Sequence, residues 1–162
     1  MKVISKINKA MAKAEGAIMV FWFAIVLIVM TCQVISRYIF NAPIAWSEEF
    51  ARYSFVWISY IGCAYCVSVD AHTGITAFRD ALPPKAKKLT TVLGNVVVMI
   101  VFIRLLPIAM KFIGKNSKFL TSMMRIPFKY LYYSLPVGCV LTVIHLILKS
   151  ILVFEPDAIE KA

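Results

Sequence analysis

The chain has 162 residues, 61% of them hydrophobic, and a mean hydropathy of +0.82. A soluble domain is about 45–50% apolar, so a core of this size in water cannot hide the excess; this excludes a soluble enzyme and points to a single all-α membrane domain of about four transmembrane helices. The net charge of +10, from 18 Lys and Arg against 8 Asp and Glu, lies in short clusters between apolar runs. That pattern suits membrane lipids and control of topology, and argues against nucleic acid.

Residues 1–15 interleave Lys2, Lys6, Lys9 and Lys13 with Val3, Ile4, Ile7, Ala10 and Met11, which fits an interfacial amphipathic helix or a frayed basic tail. Ala17 to Ser36 is uncharged for 20 residues, and no Ala-x-Ala cleavage pattern follows. It reads as a retained first span, about 17–40. Asn41-Ala42-Pro43 breaks that helix, and the next starts with Ser47 as its cap or nearer Ile44. The second span, about 45–69, is rich in small residues; Gly62 and Cys66 are four apart, as are Ser59 and Cys63, a face suited to close helix approach. A polar connection from Asp70 to Lys88 contains His72. The third span, about 89–110, is interrupted by Arg104 and Pro107. A strongly basic loop, Lys111 to Lys129, precedes a fourth span at about 130–152 and an acidic tail.

The basic N-terminus argues for a cytoplasmic start and hence for both termini inside. Inside segments then hold ten basic residues, and outside segments hold seven: Arg37, Arg52 and the five of the last loop, Lys111, Lys115, Lys118, Arg125 and Lys129. Those five oppose the positive-inside tendency. They serve either lipid headgroups or a docking partner.

Cys63-Ala64-Tyr65-Cys66 evokes a four-span thiol-disulfide oxidoreductase, but that chemistry needs a thiolate near water. The pair lies within an apolar span, so packing is the favoured reading and the enzyme the rival. His72 and His145 lie at different depths, which argues against a haem; His72 suits the interface and His145 a bond to another helix. No cofactor or metal is expected. Carboxylates are placed at the rim of the second span (Glu48 and Glu49) or in loops and tails, not deep in a span. Arg104 is the one charge deep in a span, and it either has a partner or snorkels.

The densest constellation runs from Arg37 to Tyr53. Glu48 and Arg52 are four apart on a helix, and Arg37 closes one span just before the carboxylates open the next, so an ion pair is expected to lock the hairpin. Trp46 and Tyr53 suit a headgroup-level anchor.

With Arg37, Tyr38, Phe40, Asn41, Pro43, Trp46, Glu48, Glu49, Arg52, Tyr53, Phe55, Trp57, Gly62 and His72, the chain resembles the small membrane subunit (Q subunit, DctQ-like) of tripartite ATP-independent periplasmic (TRAP) transporters. Ile126-Pro127 and Leu135-Pro136-Val137-Gly138 fit as well. The match is dense over residues 37–72 and architectural elsewhere. The resemblance implies a subunit of the bacterial inner membrane whose partners are a large multi-span permease subunit and a periplasmic substrate-binding protein. It implies a non-catalytic scaffold in sodium-coupled uptake of an organic acid, with the residues above as structural or subunit-interface positions; Arg104 joins them as the one charge deep in a span.

Overall fold

With no charge between Ala17 and Ser36 to interrupt it, the first helix runs far beyond a single span. The computed structural model describes residues 2–69 and 84–153, so His72 and most of the second connection lie outside the described residues. The helices are α1 (Lys2–Ile39), α2 (Ser47–Ser68), α3 (Pro84–Asn116), the single turn α4 (Lys129–Tyr132) and α5 (Ser134–Val153). Among the described residues there is no strand, only a lone bridge between Leu120 and Pro127. The all-α class holds.

Among the described residues, three stretches are long and apolar enough to cross a membrane: Ile4–Ile39, Thr90–Asn116 and Lys129–Leu152. The 22-residue α2 is not among them, because Glu48, Glu49 and Arg52 crowd its first turns and Ser and Tyr recur along it. Its neighbours explain why that composition is tolerated. The helices pack in the order α1, α2, α5, α3, with α1 also touching α5, and among the described residues α3 contacts only α4 and α5. The α2 helix lies between α1 and α5, so little of it need be lipophilic.

Close approach is set by small residues. A Cβ on Gly138 of α5 would lie 2.7 Å from the Tyr60 Cβ and 3.0 Å from the Tyr60 carbonyl oxygen of α2. Gly62 faces the Met19 sulfur of α1, and Gly16 faces the Tyr65 ring. Ala64 of α2 and Cys139 of α5 are fully buried. The small-residue character of α2 thus serves contacts on two sides, although its tightest point is made by the glycine of α5.

The N-terminal stretch is helical but continuous with the first span, and its buried stripe is polar. Asn8, Ala12 and Glu15 are buried, whereas Ile7 is exposed. Both polar side chains close on His145 of α5, which is completely buried: Asn8 Oδ1 is 2.6 Å from Nδ1, and Glu15 Oε1 is 3.0 Å from Nε2. The expected bond from His145 to another helix is present. The placement of Glu15 in a tail is corrected, because burying a carboxylate requires a partner and His145 supplies one.

Two further boundaries differ from the sequence reading. The α3 helix passes through Pro107 to Asn116 instead of ending near Met110; proline removes one backbone bond, a loss that membrane helices absorb. The last helix is not continuous from Tyr130. It breaks at Tyr133, where the Ser134 hydroxyl donates to the Leu131 carbonyl at 2.6 Å, and Pro136 sits in the first turn of α5, where no amide donor is needed.

Candidate functional site

The 37–57 constellation gathers at one end of the helix row, against the loop that joins α3 to α4. The chain leaves α1 through Asn41, whose φ of 49° lies in the left-handed region that Asn tolerates better than most residues. The Ser36 hydroxyl donates to the Ala42 carbonyl, the Ala42 amide donates back to the Ser36 carbonyl at 3.1 Å, and the Ile44 amide donates to Gln33 Oε1 at 2.7 Å. The buried Gln33 is the one amide side chain in the uncharged stretch, and it fastens the turn that contains Pro43.

Ser47 begins α2 but does not cap it. Its hydroxyl turns back to donate to the Ile44 carbonyl at 2.7 Å, and Trp46 takes the cap position without a side-chain bond. Ser47 is fully buried, and this local bond satisfies its hydroxyl. The ring of Trp46, itself exposed, meets Phe50 edge-on at 6.1 Å.

Glu49 is the centre of the site. Its Oε1 accepts from the Tyr53 hydroxyl at 2.7 Å and the Ser122 amide at 3.1 Å; its Oε2 accepts from the Met123 and Met124 amides at 2.9 and 2.8 Å. Three successive backbone N–H groups form a nest for an anion, and the anion is the chain's own carboxylate. The loop is shaped to present them. Thr121 N–H donates to Ile126 O at 2.9 Å, Ile126 N–H to the Thr121 hydroxyl at 3.0 Å, and Phe128 N–H to Phe119 O at 2.9 Å. Arg125 completes the turn with a φ of 52°.

Aromatic residues brace this loop against the helices. The Trp57 indole donates to the Tyr130 carbonyl at 3.2 Å. Tyr53 meets Phe128 edge-on at 6.1 Å, Phe128 stacks on Tyr132 at 5.8 Å, and Tyr132 meets Phe112 of α3 at 4.9 Å. Between them lies an apolar cleft of about 190 Å³, lined by Trp22, Phe50, Tyr53, Trp57, Met124 and Pro127 among others.

Of the residues singled out in the sequence, the structure thus brings Glu49, Tyr53 and Trp57 together on the last loop, with Asn41, Pro43 and Trp46 in the adjoining turn. Tyr53 turns its hydroxyl inward to Glu49 instead of outward as an anchor. Arg37, Glu48 and Arg52 are exposed, and among the described residues no ion pair joins these charges. The hairpin lock expected from them is corrected: uncharged Gln33 and Ser36, with Ser47, hold the turn, and Arg37 lies 5.9 Å over the ring of its neighbour Tyr38. Gly62 lies farther along α2. Lys111, Lys115, Lys118 and Arg125 are exposed around the loop, while the half-buried Lys129 lies 5.2 Å over the Tyr130 ring.

Arg104 is exposed on α3, eight residues before Phe112. Cys63 and Cys66 are free, half-buried thiols on a helix in the middle of the row. The thiol oxidoreductase reading finds no support. Reading the residues alone missed Gln33, the Asn8–Glu15–His145 cluster and the backbone nest. The amide in an apolar run and the seven-residue spacing of Asn8 and Glu15 were visible signals for the first two; nothing in side-chain identity announces the nest.

The family model described as the DctQ component of tripartite ATP-independent periplasmic transporters matches residues 16–155. The chain belongs to that family. Among relatives of this DctQ-family chain is the sialic acid TRAP transporter small permease protein SiaQ of Vibrio cholerae serotype O1. It is 31% identical over 140 residues, covering 86% of this chain and 81% of that protein. The sialic acid TRAP transporter permease protein SiaT of Haemophilus influenzae is 25% identical over 141 residues, 87% of this chain but only 22% of that longer protein. The C4-dicarboxylate TRAP transporter small permease protein DctQ of Vibrio cholerae is 25% identical over 85 residues, 52% of this chain and 37% of that protein. The DctQ-family chain is therefore a transmembrane small permease subunit of a TRAP transporter.

Proposed function

We propose that this subunit is a non-catalytic scaffold in a sodium-coupled, binding-protein-dependent importer of an organic acid, packed beside a large permease subunit. The observation that carries the reading is how its hydrogen-bonded polar side chains are used. Gln33 holds the α1–α2 turn, Glu49 holds the last loop, and Asn8 and Glu15 hold His145; each serves the shape of this chain. The outer helices α1 and α3 meanwhile expose apolar residues such as Phe21, Ile28, Val101 and Ile108, a surface for lipid and for another subunit. The similarity to one stretch of the longer SiaT permease supports a place beside a larger permease unit.

The subunit lies in the bacterial inner membrane with α2 crossing alongside α1, α3 and α5 and both termini cytoplasmic. The Glu49 loop then faces the periplasm, where Lys111, Lys115, Lys118, Arg125 and Lys129 meet the substrate-binding protein or lipid headgroups. Substrates of the sialic acid and C4-dicarboxylate type, named for the relatives, are the first to test. Reconstitution provides the test. The purified subunit alone in liposomes moves no organic acid down a sodium gradient, and uptake requires the large subunit and the liganded binding protein. Uptake by the lone subunit defeats the scaffold reading.

A further inference from the structure

Arg104 stands in the wrong place for a charge that answers only to itself. It precedes Lys111 by seven residues on the same unbroken helix, so it sits roughly 10 Å deeper along the axis than that lysine. Side chains on a helix set out toward its N-terminus, which here carries the guanidinium away from the Lys111 end. Snorkelling to the nearer surface therefore requires the side chain to double back. Among the described residues Arg104 has no hydrogen-bond or ion-pair partner.

Its direction around the helix is equally specific. Ile113, buried against the rest of the chain, lies nine positions on, about 180° away around the axis. Arg104 faces outward from the row, in a stripe with Val97, Ile100, Val101 and Ile108, all exposed. Pro107 is one turn on, and having no amide it leaves the Ile103 carbonyl, next to Arg104, without its helical donor. An outward apolar stripe thus carries one cation, and ionised groups within a membrane pair with one another or with backbone carbonyls.

We propose that this face of α3 seats a transmembrane helix of the large permease subunit, and that an aspartate or glutamate on that helix pairs with Arg104. A carboxylate matches the planar fork of the guanidinium in two parallel hydrogen bonds, which fixes register as well as attraction. The pairing rests on the proposed function, since it presumes a large subunit beside this one.

Photo-crosslinking in the assembled transporter tests it. A benzophenone side chain replaces Val101 or Ile108 beside Arg104, or Phe21 on α1 as a comparison, with the large subunit and binding protein co-expressed. The α3 positions are expected to crosslink to the large subunit. Arg104→Glu is expected to lower recovery of the large subunit with the tagged chain at least tenfold, and Arg104→Lys much less. Exchanging the acid found in the crosslinked peptide for Lys should restore recovery with Arg104→Glu. Crosslinks from α3 only to lipid or to a second copy of this chain overturn the proposal, as does wild-type recovery with Arg104→Leu. If the large subunit co-purifies and crosslinks from Phe21 alone, the pairing fails while the scaffold reading stands. If it never co-purifies with the wild-type chain, the scaffold reading fails and takes the pairing with it.

Discussion

Glu15 of α1 and His145 of α5 meet at 3.0 Å, both buried, although 130 residues separate them in sequence. The contact joins the start of the first helix to the last one. Removing one member of such a pair leaves the other buried without compensation, typically at a cost of about 3 kcal/mol or more. Glu15→Ala and His145→Ala should each lower the unfolding midpoint of the purified subunit by several degrees. Glu15→Gln, which keeps a polar partner for the ring, should cost less. Thermal unfolding in detergent, with the double substitution to complete the cycle, measures the coupling. An additive double mutant would show that the contact contributes nothing of its own.

The carboxylate of Glu49 satisfies three consecutive amides, so its loss should release the loop rather than the helices. In Glu49→Ala the amides of Ser122, Met123 and Met124 should exchange with deuterium at least tenfold faster, while those of α5 keep their protection. Arg37→Ala and Glu48→Ala remove exposed charges outside this network and should leave the loop amides unchanged. Hydrogen exchange read by mass spectrometry separates the two classes.

Gly138 and Gly94 are both glycines within helices, with opposite expectations. A methyl on Gly138 collides with the Tyr60 Cβ and backbone of α2, so Gly138→Ala should destabilise by about 1–3 kcal/mol. Nothing lies within 4 Å of a Cβ on Gly94, so Gly94→Ala should be neutral or gain up to about 1 kcal/mol from helix propensity. Chemical unfolding of the two variants side by side is sufficient.

The basic rim of the loop yields a charge-reversal prediction. Lys115→Glu with Lys118→Glu should raise the binding-protein concentration needed for half-maximal uptake, because complementary charge steers encounter and salt screens it. The effect should shrink at high salt. Labelling of a cysteine at Ser117 from outside intact spheroplasts checks the sidedness on which this depends. Identical concentration dependence at low and high salt would leave headgroup contact as the role of these lysines.

The helical class was legible because long uncharged runs admit little else in a membrane, and Asn41 to Pro43 marked the first turn. The importance of Glu49 was legible too, as a member of a dense motif, but its role was not. Charges close in sequence invited pairing with one another, whereas Glu49 accepts from the nearby Tyr53 hydroxyl and from backbone amides some 73 to 75 residues away, the latter supplied by chain geometry and not by residue type. The His145 cluster was obscured for a related reason. Glu15 stands between lysines and an apolar run, which reads as the edge of a tail until α1 is seen to carry it against α5. Pro107 and Pro136 misled in opposite directions, since the chain keeps its helical course through the first and breaks at Tyr133, within a turn of the second.

The α1 helix is fastened at two heights, by Glu15 to α5 and by Gln33 to the following turn. Eighteen residues of helix between them amount to about 27 Å, close to the roughly 30 Å hydrocarbon thickness of a bilayer. A helix held at one height can tilt to suit a thinner or thicker membrane, whereas one latched at both cannot do so freely. Mismatch is then met by the helix row tilting as a unit or by the lipid thinning or thickening against it, and not by α1 alone.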